Sequence, residues 1–196
     1  MMQRAEKSSR QYSGIAENPI QSFDVDSDPL DGVVTSPKPL LVLCLGNEIV
    51  SDDGFGPEVA HRLQNEDLLD LPADVVFAPV AGFHLLDLLA GRKRVLIVDT
   101  IRTGTAKPGT LHCFPAGALT PSHNLTTSHQ INLPTALELG KQLSLEMPDV
   151  VDVLAVEAQD LETLSEELTP AVYGALEQAL DFVRNWIRQN SSEEPL

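Results

Sequence analysis

Residues 40–56 read LLVLCLGNEIVSDDGFG, and the fold follows from how that stretch changes character. An apolar run from Leu40 to Leu45 stops at Gly46-Asn47 and gives way to an acidic turn, Ser51-Asp52-Asp53-Gly54. Helix-like sequence then begins near Gly56-Pro57, where proline suits a first helical position because its missing N–H has no intrahelical partner there. This is a strand that delivers a loop and then a helix. Open parallel sheets bind ligands just outside the carboxyl ends of their strands, so Asn47 to Asp53 is the first place to expect chemistry.

The same alternation continues down the chain. Residues 54–65 place Val59, Ala60 and Leu63 at helical spacing, with Glu58 early and Arg62 late, an order that suits the helix dipole. Residues 74–80, DVVFAPV, read as a second strand, and Phe83 to Ala90 as a short helix closed by Gly91. Arg94 to Asp99, RVLIVD, is a fully apolar strand ending on a carboxylate, as expected of a strand covered on both faces. Thr110 to Phe114 is a fourth strand, and its short connection favours an antiparallel edge position. A helix over 133–143, a strand over 149–156 and a long helix over 170–189 complete the pattern. Strands alternating with helices across one domain argue an α/β sandwich with a largely parallel sheet.

Composition narrows the partners. The 196 residues are 42% hydrophobic, enough for one domain with a sizeable core. Residues 1–38 are polar and without period, and are expected to form a disordered or loosely attached extension. The α/β domain then spans 39–190, and 191–196 make a flexible end. Asp24, Asp26, Asp28 and Asp31 lack the glycine and closing glutamate of a calcium loop. The net charge of −16 argues against nucleic acid and anionic membranes as partners. The acidity belongs to the fold, because residues 39–192 still carry nine basic against 21 acidic side chains. Absence of a membrane-length apolar run or secretory signal predicts a cytoplasmic protein. Cys44 and Cys113 sit in apolar strand-like runs and form neither a zinc spacing nor a disulfide framework, so both read as packed thiols.

Three polar residues lie at strand or helix ends that one fold could bring together: Asp53 after the first strand, Asp99 at the end of RVLIVD, and His129 before a helix. If the first and third strands are parallel neighbours, their carboxyl ends lie roughly 5 Å apart. Two carboxylates and an imidazole suit a borderline divalent ion such as nickel or zinc, or acid and base roles. Each has a plainer reading: Asp52 or Asp53 as a helix cap, Asp99 on loop amides, His129 on a backbone carbonyl. His61, His84, His112 and His123 read as surface or packing residues. The glycine turn carries no phosphate-binding signature, and its paired aspartates oppose a phosphate.

Segments 43–63 (LCLGNEIVSDDGFGPEVAHRL), 96–101 (LIVDTI) and 127–137 (TSHQINLPTAL) resemble, in order, the three signature segments of the hydrogenase maturation endopeptidases. The resemblance covers most of the chain from Leu40 to about Ile187. It implies a three-layer α/β sandwich with a twisted, mostly parallel five-stranded sheet flanked by helices. It also implies an activity: removal of the C-terminal extension from a nickel-iron hydrogenase large-subunit precursor after nickel insertion. In the family the nickel carried by the precursor is the recognition element, and motif by motif its ligands here are Asp53, Asp99 and His129, with Asp52 a local cap or supporting group. A monomeric protease is expected. Cys44 departs from the family's usual glycine, and its place inside an apolar strand makes it a packing residue. Two rivals are a non-cleaving, metal-sensing assembly factor and a peptidyl-tRNA hydrolase-like enzyme using Asn47, the latter opposed by the acidic core.

Overall fold

The computed structural model describes residues 37–65, 72–79, 84–118 and 133–191. The extension expected over 1–38 therefore lies almost entirely outside the described residues, as do most of the expected C-terminal end and His129.

Five strands build one sheet: β1 (Leu40–Leu45), β2 (Ala73–Ala78), β3 (Arg94–Ile101), β4 (Leu111–Pro115) and β5 (Val150–Glu157). Their order is β2-β1-β3-β5-β4, with every neighbouring pair parallel except the antiparallel β4–β5 edge. The helices are α1 (Phe55–Asn65), α2 (His84–Leu89), α3 (Leu133–Gln142), α4 (Pro170–Tyr173) and α5 (Leu176–Ser191).

Both faces of β1 are covered, and all six of its residues are buried. Leu40, Val42 and Cys44 enter one core with Val59 and Leu63 of α1 and Leu176, Leu180, Val183 and Ile187 of α5. Leu41, Leu43 and Leu45 enter a second core with Leu85 and Leu89 of α2 and Leu133 of α3. Strand alternation sends successive side chains to opposite faces, so one apolar hexapeptide anchors both outer layers of the three-layer sandwich.

Three expectations are corrected in detail. The strand expected to end at Asp99 runs on to Ile101, because Thr100 and Ile101 still pair with Val156 and Glu157 of β5. Asp99 thus lies within the strand. The helix expected over 170–189 is broken into α4 and α5 at Gly174-Ala175, where Ala175 N–H bonds the carbonyl of Val172 in a tighter turn. Cys113, expected to be packed, is exposed, since β4 is the edge strand.

Candidate active site

The β1 loop is held by its own backbone. Gly46 has a φ of +149°, and Asn47 N–H donates to the carbonyl of Asp53 at 3.1 Å, closing the loop on itself. A Cβ on Gly46 would strike that carbonyl and the Pro57 ring, so the closure requires glycine. Asn47 Oδ1 accepts from Ile49 N–H at 3.2 Å, which ties the side chain to the turn and leaves the tRNA-hydrolase role without support. A 3₁₀ turn over Ser51–Gly54 then leads into α1. Ser51, at a left-handed φ of +32°, docks the loop on the segment after β5: its N–H donates to Ser165 O at 2.7 Å and its Oγ to Glu167 O at 3.3 Å.

The two adjacent aspartates divide the work. No side chain caps the 3₁₀ turn itself. Asp52, fully buried, accepts Gln159 N–H (2.7 Å) and Asp160 N–H (2.8 Å) on Oδ2 and Thr169 N–H (2.8 Å) on Oδ1. Its carboxylate is the clasp between the β1 loop and the β5–α4 connection. Asp53 turns toward β3 instead, where its Oδ1 accepts from Thr100 Oγ1 at 3.2 Å.

Asp99 is the neighbour of that threonine, and its Oδ1 accepts Thr100 N–H at 2.7 Å. Thr100 therefore serves both carboxylates, the hydroxyl for Asp53 and the amide for Asp99. Both aspartates are buried, at 2% and 4% exposure, Asp53 on the loop that follows β1 and Asp99 near the carboxyl end of its parallel neighbour β3. Two carboxylate donors by themselves suit a hard divalent ion, and an imidazole added to them would shift the set toward a borderline ion such as nickel or zinc. Among the described residues no three His, Cys, Asp or Glu side chains are placed to hold a metal; His129, the expected third member, lies outside them.

Cys44 is fully buried, and burial, with Asp99 adding to it, pushes its thiol far above the ordinary range. It stays protonated and packs, as its strand position implies. Beside the loop opens a cleft of about 720 Å³, lined among others by Glu48, Ile49, His61, Glu167, Leu168 and Tyr173.

The sequence places His112 among surface or packing residues, yet its Nε2 lies 3.2 Å from Oε2 of Glu157, a carboxylate 2% exposed at the end of β5. A mid-strand histidine gives no sequence signal of this, because its partner is 45 residues away.

Known proteins are similar along most of the chain. The sequence profile of the HycI hydrogenase maturation proteases matches residues 57–186, which include Asp99 and His129 and begin just after the Asp53 loop. The hydrogenase 2 maturation protease of Escherichia coli is 26% identical over 155 residues, covering 79% of this chain and 93% of that protein. The coenzyme F420 hydrogenase subunit delta of Methanothermobacter thermautotrophicus is 30% identical over 157 residues, covering 74% and 91%. Among solved structures, the E. coli maturating endopeptidase HybD superposes with a TM-score of 0.64 at 25% identity, over 77% of this chain and 93% of that one. HybD from Thermococcus kodakarensis gives 0.61 at 21% identity, over 76% and 98%. In sequence profile and in fold alike, the chain belongs to the hydrogenase maturation protease family, and is a peptide hydrolase of that kind.

Proposed function

We propose that this protein removes the C-terminal extension of a nickel-iron hydrogenase large-subunit precursor after nickel insertion, and that it reads the precursor's nickel with Asp53, Asp99 and His129. The observation that carries the reading is the convergence of Asp53 and Asp99 on Thr100. Thr100 links the two buried carboxylates through its hydroxyl and its amide, on the side of the sheet's strand ends where open parallel sheets bind ligands. The nickel is substrate cargo here. It would gain oxygen and imidazole ligands from the protease, and this grip would hold the adjacent peptide in place for cleavage. Recognition then doubles as a check on metal loading. The cleft beside the loop, about 720 Å³, is where we place the adjoining segment of the precursor.

Among the described residues no helix is long and apolar enough to cross a membrane, and both cysteines are free thiols; we place the reaction in the cytoplasm, with the protease acting as a monomer. The test is intact-mass analysis of nickel-loaded precursor before and after incubation. Wild-type protein should release the C-terminal peptide, while Asp53→Ala, Asp99→Ala and His129→Ala should each be slowed at least 10²-fold, on the scale of losing an essential polar group. Normal processing by all three variants would remove the nickel-reading role. Binding of precursor with no mass loss would replace the protease by a non-cleaving assembly factor.

A further inference from the structure

Glu157 has more hydrogen-bond donors around it than its place in a sheet demands. Thr103 N–H and Thr103 Oγ1 each donate to it at 2.8 Å, Gly104 N–H at 3.0 Å, and His112 Nε2 lies at 3.2 Å. Burial alone would raise its pKa, but the bonds from Thr103, Gly104 and His112 outweigh that and hold it below the usual carboxylate range. An ionised carboxylate accepts only, so Nε2 of His112 carries the proton on this side of the ring. Nδ1 is then the acceptor and faces away from the bond. The imidazole is 27% exposed, open enough to meet a substrate.

The sheet register ties this pair to Asp99. Asp99 pairs with Ala155, and Ala155 pairs with His112 across the antiparallel edge. All three therefore project from the same face, with Asp99 and His112 two strand spacings apart, about 10 Å. That is the span of a short extended peptide segment. Peptide hydrolysis needs a group that moves a proton from water to the departing nitrogen. Asp53, Asp99 and His129 are committed to the nickel in the reading above, on which this inference rests.

We propose that His112, oriented by Glu157, is the proton-transfer residue of the cleavage. Its Nδ1 takes a proton from the water whose oxygen adds to the scissile carbonyl carbon. It returns that proton to the amide nitrogen as the C–N bond breaks, so one water is consumed and a new carboxyl end and a new amine end leave. Glu157 fixes the ring's tautomer and direction, as an orienting carboxylate does for a catalytic histidine. His112 is thus a catalytic residue and Glu157 a positioning residue.

The experiment is single-turnover processing of nickel-loaded precursor, read by intact mass, with and without added imidazole, and with precursor binding measured separately. His112→Ala should bind precursor as wild type does, cleave it roughly 10²- to 10⁴-fold more slowly, and regain part of the rate when imidazole is supplied. Glu157→Gln, which keeps the shape, should slow cleavage by less and gain nothing from imidazole. His112→Gln, able to keep the bond to Glu157, should be as slow as His112→Ala, which separates chemistry from loss of folding. A His112→Ala protein that cleaves at the wild-type rate overturns the proposal, as does one that is slow, folded and deaf to imidazole. Wild-type protein that leaves the precursor intact overturns the protease reading and takes this one with it.

Discussion

Asp52 and Asp53 are neighbours in sequence and both buried, yet a substitution at each should be read by a different instrument. Asp52 holds three backbone N–H groups, so Asp52→Asn leaves at least one of them facing an amide NH₂. Bonds to a charged acceptor are worth about 1.5–3 kcal/mol each. We expect Asp52→Asn to lower stability by about 2–4 kcal/mol in urea unfolding, and a change under about 0.5 kcal/mol would mean the clasp is idle. Asp53→Asn keeps an acceptor for Thr100 Oγ1 and removes the negative charge. It should cost less stability than Asp52→Asn in the same assay while precursor processing falls at least 10²-fold; loss of stability equal to that of Asp52→Asn would make Asp53 structural. Strand-end logic drew Asp53 and Asp99 together, and both do bond Thr100. It could not find the partners of Asp52, which are 107 to 117 residues away, nor pair His112 with Glu157.

Elements were legible where periodicity alone defines them and illegible where tertiary pairing does. The apolar runs of β1 and β3 announced a sheet covered on both faces, and the β4 edge followed from a connection too short for a helix. The break between α4 and α5 left no trace, because Val172, Leu176, Leu180, Val183 and Ile187 keep one stripe across it. The extra two residues of β3 are owed to β5, not to their own composition. At the start of α1 the constraint is contact. Gly56 sits so close to the end of β1 that a Cβ would meet the carbonyl of Leu45. Gly56→Ala must therefore push the helix off the strand that delivers the Asp53 loop, at a cost of about 1–3 kcal/mol as in other overpacked sites. Gly117→Ala, with nothing within 4 Å of the new methyl, is the control and should fall short of that. Equal melting temperatures for the two variants would refute the close approach.

Over the whole molecule two electrostatic effects oppose one another, and pH separates them. The net charge of −16 repels itself in the compact state, so added salt at pH 7 should raise the melting temperature as the Debye length shrinks to about 10 Å at 0.1 M. A flat or falling dependence would show that the acidic side chains are too well spread to repel. On acidification the sign reverses. Glu157 is held below the ordinary carboxylate range despite its burial, and Asp160 is brought down to about 2 by bonds from Thr163 and Glu162. Both titrate lower folded than unfolded, so their stabilisation is complete above the unfolded values near 4 and is lost as pH falls through the folded ones. Relief of repulsion cannot compensate there, because protonation must break the bonds that Thr103, Gly104 and His112 make to Glu157. Urea unfolding from pH 7 to pH 3 should therefore show stability falling most steeply below about pH 4. Glu157→Gln should be less stable at pH 7 and visibly flatter over the same range, since it has no proton to take up; parallel curves for the two proteins would rule out Glu157 as a source of the acid limb.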